Sequence, residues 1–255
     1  MKIFFIILFF ILGTVFGSFY NVVAFRVSNK ESIIKPKSHC PKCNHILKFY
    51  ELIPILSFLI QKGKCRCCNE KISLFYPLME MFSGILFAVS FYSYGFSYEL
   101  LMALALSSMF IIIIVTDLNY YIIPDEINIA FAIIIFIINI LIHNSILEAL
   151  KYGLFGLIMF LFMYILMIIG NFLFKQESLG GGDIKLLFVL GMTAPVILSF
   201  LGLTLGAFLA LPVSIYLYLK HKDKVLPFGP FLVAGFLIIY LLKIDITDIY
   251  NFLIF

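Results

Sequence analysis

Long apolar runs recur along almost the whole chain, and they are too many for one water-soluble core to hide. Of 255 residues, 63% are hydrophobic and only 13% are charged. A soluble domain of this length would be roughly half apolar and about a quarter charged. Lipid is therefore the natural solvent for most of this chain. A spanning helix takes about 20 apolar residues, which leaves room for about seven or eight spans and one sizeable loop. The expected fold is an all-α, polytopic membrane helix bundle.

The first span is expected over residues 3–25. A cleaved signal peptide is the competing reading, because Lys2 precedes the run. The run is too long for a signal core, and no A-x-A-like cleavage site follows it. Further spans are expected near 76–91, 100–115, 122–142 and 154–174. A short helix should follow Asp183, interrupted near Gly191 and Pro195. Two more runs cover 196–219 and 231–242, and 243–255 reads as an interfacial helix. The chain thus divides into a first span (1–25), a polar loop (26–75) and a multi-span region (76–255).

Charge orients this array. Residues 26–75 hold ten Lys/Arg against three acids, whereas the rest of the chain is net acidic. A basic loop between spans is read as cytoplasmic. Nucleic-acid binding is the weaker reading for a short loop tethered at both ends. Alternating crossings then put 116–121, 175–183 and the turn Lys220-His221-Lys222-Asp223-Lys224 inside. Two crossings must fit between Asp183 and Leu219, so the helix after Asp183 is expected to be short or partly re-entrant. On this count Asp117 and Asp183 share the cytoplasmic side. Tyr20, Tyr76, Tyr98, Tyr120 and Tyr121 fall at expected span edges, where amphipathic rings suit the interface.

All five cysteines lie in the basic loop. A reducing cytoplasmic setting argues against a disulfide framework. Cys40 and Cys43 form one C-x2-C pair, and Cys65 and Cys68 form another 21 residues later. Each pair brings two thiolates onto one tight turn, and four thiolates complete a tetrahedral zinc shell. Such a metal would be structural, with no open position. Lys42, Lys64 and Arg66 would favour the thiolate forms. Free thiols or redox chemistry are the alternative. Cys67 is the unpaired fifth cysteine, and His39 and His45 are substitute ligands of lower rank.

Asp117 ends the run Ile111-Ile112-Ile113-Ile114-Val115-Thr116. A carboxylate there is costly to desolvate and marks a functional site, although an interfacial Asp that merely ends a span reads equally well. In Ile123-Pro124-Asp125-Glu126, Ile123 is expected at the cap position. Asp125 and Glu126 then fall in the first turn, where the helix dipole favours acids. That suffices for Asp125. Asp183 follows Gly180-Gly181-Gly182. It reads either as a helix cap or as a carboxylate that needs close backbone approach and positive φ from its glycines. Two facing carboxylates can divide the roles of acid and base, and so activate water without a metal. His143 and His221 have no evident nucleophilic partner.

Several motifs together resemble the bacterial type IV prepilin peptidases, including the competence-type leader peptidases. Gly17-Ser18-Phe19-Tyr20-Asn21-Val22-Val23-Ala24-Phe25-Arg26 is similar to the family's G-S-F-x-N-V-V motif with its trailing Arg. The cysteine loop, Ile53-Pro54-Ile55-Leu56-Ser57, Gly63-Lys64-Cys65-Arg66 and Tyr76-Pro77-Leu78-Met79-Glu80 follow in family order. Asp117 through Asp125 resembles D-x6-P-D, and Gly180-Gly181-Gly182-Asp183-Ile184-Lys185 resembles G-x-G-D-x-K. One departure is Val27-Ser28, where the family often has Leu-Pro after the Arg.

The resemblance implies an aspartic endopeptidase of the bacterial inner membrane. It would cut prepilin or pseudopilin leaders after a glycine on the cytoplasmic side, with Asp117 and Asp183 as the catalytic pair. It also implies N-methylation of the new terminus from S-adenosylmethionine, although no glycine-rich site for that donor is recognisable. A proton-coupled transporter using the aspartates as relays is the main rival. No internal repeat supports it. A membrane-anchored zinc module that only binds partners would leave both aspartates unexplained.

Overall fold

The structure is a computed structural model and describes residues 1–175, 179–220 and 226–248. Within these residues the chain forms nine α-helices, of which α2 (Leu56–Ile60) is a single short turn, and one 3-10 turn, with two isolated bridges and no strands. Six helices are long and apolar enough to cross a membrane: α1 (Lys2–Ser28), α3 (Phe75–Tyr94), α4 (Tyr98–Tyr120), α5 (Asp125–His143), α6 (Ile146–Phe174) and α8 (Val196–Lys220). The shorter α9 (Gly229–Leu241) is equally apolar. The chain is thus an all-α multi-pass membrane protein. Residues 176–178 of the expected inside loop, 221–224 of the lysine-rich turn and 249–255 of the expected interfacial helix lie outside the described residues.

Two compact units are present, Met1–Gly95 and Phe96–Phe255. The first is an antiparallel pair, α1 and α3, with the polar loop between them. Its register is marked by ring contacts of Phe9 with Phe91 (4.6 Å), Phe16 with Phe87 (5.8 Å) and Phe25 with Tyr76 (5.6 Å). Lipid gives helices no hydrophobic reason to associate, so close packing across small residues must do it. A Cβ at Gly13 would stand 2.7 Å from the Ser83 carbonyl, and one at Gly17 would stand 2.8 Å from Ser83 Cβ. The Gly13-x3-Gly17 spacing therefore lets the backbones touch. At 27 residues α1 is about 40 Å long, about 10 Å more than the hydrocarbon layer. Its last turns, including Arg26, carry the chain into the loop.

In the second unit α4 is the central helix, and most of its length is buried. Ser97 caps it, accepting from Leu100 N–H at 3.3 Å. It ends where Tyr121 turns left-handed at φ 55°. Helices α5 and α9 pack on it, and α6 and α8 complete the bundle. The α8–α9 seam again depends on glycine: a Cβ at Gly235 would overlap Gly202 O and lie 2.6 Å from Gly206 N. Gly235→Ala should force the helices apart and cost about 1–3 kcal/mol, read as a lower unfolding temperature.

Between α6 and α8 lies α7 (Gly181–Gly191), the expected short helix. Eleven residues reach only about half the hydrocarbon thickness. Ile184, Leu186, Leu187, Val189 and Leu190 are all buried, so the protein itself covers this partial crossing. The helix ends at Met192, whose carbonyl accepts the Asn139 amide at 2.9 Å.

Two local expectations are corrected. Pro124, not Ile123, is the N-cap of α5: its ψ of 137° keeps it extended, and the helix starts at Asp125. Asp183 does not cap α7, because Gly180 holds that position and Asp183 lies two residues inside the helix.

Candidate active site and metal centre

Asp117 ends the buried face of α4 and is only 6% exposed. The amino end of α9 is directed at it, and Gly229 N–H donates to Asp117 Oδ2 at 3.1 Å. Pro230 follows at the first turn, where its missing N–H costs nothing. The free N–H groups and dipole of a helix start suit an anion. Asp183, in the first turn of α7, is near enough for the charge on Asp117 to act on it. Its Oδ1 is buried and has no protein partner among the described residues.

Ile123 ties the two sides together. A Cβ at Gly182 would stand 3.0 Å from Ile123 Cβ, while one at Gly229 would stand 2.8 Å from Ile123 Cδ1 and 3.1 Å from Asp117 Oδ2. Both backbones thus close on one side chain. The glycine triplet serves this approach at Gly182. It does not supply positive φ: Gly180 has φ −68°, and of the described glycines only Gly63 and Gly95 have positive φ. Gly229→Ala should displace Ile123 or Asp117 and lower any activity of the pair more than it lowers stability, read by comparing turnover with unfolding temperature.

Lys185 Nζ bonds both oxygens of Asp125, at 2.8 and 2.7 Å, joining α7 to the start of α5. Asp125 therefore has a tertiary partner besides the helix dipole. Both side chains are more than half exposed, and exposed pairs contribute about 0.2–1 kcal/mol. Lys185→Ala should cost no more than that in thermal unfolding. Sequence reasoning missed Ile123, Gly229 and this pairing. The Gly-Pro step before an apolar run was the available signal for Gly229. It also missed Asn128, whose amide is buried one turn into α5 without a protein partner among the described residues.

In the first unit the four expected cysteines converge, all Sγ atoms lying within 4.8 Å of one another. The two knuckles repeat the same backbone bonds. Cys40 N–H donates to His45 O and Asn44 N–H to Cys40 O; Cys65 N–H donates to Glu70 O and Asn69 N–H to Cys65 O. Asn44 and Asn69 both turn left-handed, at φ 56° and 57°. The Cys40–Cys68 and Cys43–Cys65 Sγ separations are 3.8 and 3.9 Å. Four thiolates at a Zn–S distance of about 2.3 Å in a tetrahedron lie about 3.8 Å apart, so the set fits. Backbone N–H groups of Cys43 and Lys42 pull the Cys40 thiol down to about 6, which helps it act as a thiolate.

Cys67 is exposed and outside this cluster. His45 turns away from it to Glu51 (3.2 Å), and His39 Nδ1 pairs with Lys37 O. The buried Glu51 accepts from Lys48 N–H at 2.8 Å and faces Arg66 of the second knuckle at 4.0 Å. The Lys48 N–H chiefly, with His45 and Arg66, holds its carboxyl below the usual carboxylate range. Its stabilising effect is full at neutral pH and is lost as pH falls through that lowered value. Glu51→Gln should cost about 1–3 kcal/mol at neutral pH. In pH-dependent thermal unfolding that gap should close as pH falls through the lowered value.

Three separate sequence motifs meet at Glu80, which is buried on α3. It receives the Ser18 hydroxyl from α1 and the Ile55 N–H at 2.8 Å. Ile55 itself has φ 60°, a rare conformation for a β-branched residue. Beside Ser18, α1 and the loop line an open groove of about 350 Å³, whose wall includes Phe19, Val22, Arg26, Ile34 and Lys37.

A polytopic bundle with two carboxylate residues at helix ends and a cluster of four thiols in a polar loop defines the class: a multi-pass membrane protein. Residues 11–94 match the family model described as Bacterial Peptidase A24 N-terminal domain, and residues 104–215 match that of the Type IV leader peptidase family. The prepilin leader peptidase/N-methyltransferase of Bacillus subtilis (strain 168) is 37% identical over 94% of this chain and 96% of its own length. The proteins of that name from Myxococcus xanthus (strain DK1622) and Neisseria gonorrhoeae are 36% and 28% identical, over 73% and 89% of this chain and 55% and 87% of their own lengths. No solved structure matches. The chain belongs to the type IV leader peptidase family.

Proposed function

We propose that this chain is an aspartic endopeptidase of the bacterial inner membrane that removes the leader of type IV prepilins or pseudopilins. Cleavage follows a glycine on the cytoplasmic side, and the new N-terminus is then methylated. The peptidase reading is supported by a buried Asp117, met by the α9 amino end, and by Asp183, whose buried Oδ1 has no partner among the described residues. The two carboxylates alternate as general base and general acid around one water. The base takes a water proton while the oxygen adds to the scissile carbonyl. The acid then protonates the departing amine as the C–N bond breaks. Gly229 N–H and the Ile123 wedge hold Asp117 in place during both steps.

The basic loop 26–75 supports the cytoplasmic orientation. Cys40, Cys43, Cys65 and Cys68 would hold a structural zinc, since four thiolates leave no open position. Methylation is supported by the names of the relatives. S-adenosylmethionine supplies, when bound, an electrophilic methyl group that the neutral terminal amine can take from sulfur. The reading is tested with the full chain in bilayers and a leader-bearing prepilin. Mass spectrometry of the product is expected to show loss of the leader and, with the donor present, gain of one methyl group. An intact prepilin would overturn the peptidase reading, and a cleaved but unmethylated product would overturn the methylation reading.

A further inference from the structure

We propose that Asn128 receives the scissile carbonyl oxygen: its Nδ2–H donates to that oxygen as negative charge builds on it. The proposal deepens the peptidase reading above and rests on it. Helix register, burial and the chemistry of an amide carry it.

Helices α5 and α7 run side by side in the same direction. At their starts, Lys185 Nζ bonds Asp125, and Gly182 meets Ile123. At their ends, Asn139 Nδ2–H donates to Met192 O at 2.9 Å. Asn128 precedes Asn139 by eleven residues on α5. That is about three turns, so the two differ by only about 20° around the axis. Asn128 therefore shares the face that Asn139 turns to α7. The same rise taken back along α7 from Met192 arrives at Gly181, the first residue of that helix. Asp183 leans back to this level, since a Cβ on Gly180 would stand 3.0 Å from its Oδ2. The amide and the carboxylate thus lie at one height on facing helices.

Asn128 is only 4% exposed. Neither its Nδ2 nor its Oδ1 has a partner among the described residues, and Asp183 Oδ1 has none either. No other side-chain atom of the second unit is left in this state among the described residues. A buried amide without partners is costly, and such groups in a native fold call for an explanation. A substrate peptide group, with one acceptor and one donor, answers both ends of a carboxamide.

The chemistry needs such a donor. As the water oxygen adds to the scissile carbon, the carbonyl π pair moves onto oxygen. A fixed N–H stabilises that oxyanion more than it does the ground-state carbonyl. The aspartates cannot serve here, because one takes the water proton and the other gives its proton to the departing amine. As the C–N bond breaks, the carbonyl re-forms and the hydrogen bond relaxes. Asn128 Oδ1 meanwhile accepts an N–H of the substrate backbone.

The test uses the full chain in nanodiscs with a leader-bearing prepilin. Initial rates over a range of substrate concentrations are measured for wild type, Asn128→Leu and Asn128→Ser. Leu is similar in size but has no donor, and a Ser hydroxyl in a helix bonds back to the preceding turn. Both variants should lower kcat by about 10²–10³-fold, with KM within about twofold of wild type. Asn128→Leu should keep the wild-type unfolding temperature, because the amide it removes had no partner. If Leu prevents folding, Ser alone decides. A kcat within about threefold of wild type, or a loss confined to KM, would overturn the assignment and leave the aspartate pair standing. Wild type that leaves the prepilin intact would overturn the peptidase reading and this proposal with it.

Discussion

Asp117→Asn and Asp183→Asn should each lower prepilin cleavage by about 10²–10⁴-fold, with the double variant little worse than either single one. The first figure is what positioned acid–base groups contribute. The second follows because the groups act as one unit around one water, and such units are strongly non-additive. Asn is nearly isosteric, so the contact with Gly229 N–H survives through its oxygen, while the ability to exchange a proton is lost. Unfolding temperature should therefore change little. The measurement is the initial rate of leader removal in membranes, with methylation of a pre-cleaved pilin followed separately. Substantial cleavage by either variant would remove that residue from the mechanism.

Zinc removal should have an equally large effect, but on the first unit. Chelation, or Cys43→Ser with Cys65→Ser, is expected to undo both knuckles at once. Structural zinc sites of this kind are worth about 10–16 kcal/mol in isolated peptides, far more than any other contact in the loop. Metal analysis should give one zinc per chain in wild type and none in the double variant. Proteolysis should then cut the loop between the two cysteine pairs. Methylation should fall with the loop, while cleavage by the second unit falls less. Retention of a protease-resistant loop without metal would show that His45, Glu51 and Arg66 hold it instead.

Much of this was legible in the sequence, for particular physical reasons. Spans are legible because lipid demands long apolar runs. The short α7 was legible because charge alternation left too little room between Asp183 and Leu219. The cysteine spacing was legible because each knuckle is local: its turn is closed by bonds within six residues. What stayed hidden depends on distant contacts. Nothing around residue 117 announces that Gly229 will donate to it, 112 residues later. Ile123 looks like one more apolar residue until Gly182 and Gly229 are seen against it. The Asp125–Lys185 pair spans 60 residues and has no periodic signature. Pro124 was misplaced by one position because proline suits both the step before a helix and its first turn.

The thiolate cluster also bears on the order in which the chain is built. All four sulfur ligands lie between residues 40 and 68, and the helices flanking them close on each other through Gly13 and Gly17. Every contact described within this unit therefore involves residues that leave the ribosome before Phe96 does. Contacts of short sequence separation form early and fast, and domains fold in the order they are synthesised. The first unit could gather its four thiols around a metal and pair its two spans while the helices bearing both aspartates are still unmade. Proteolytic competence would then be the last property this chain acquires.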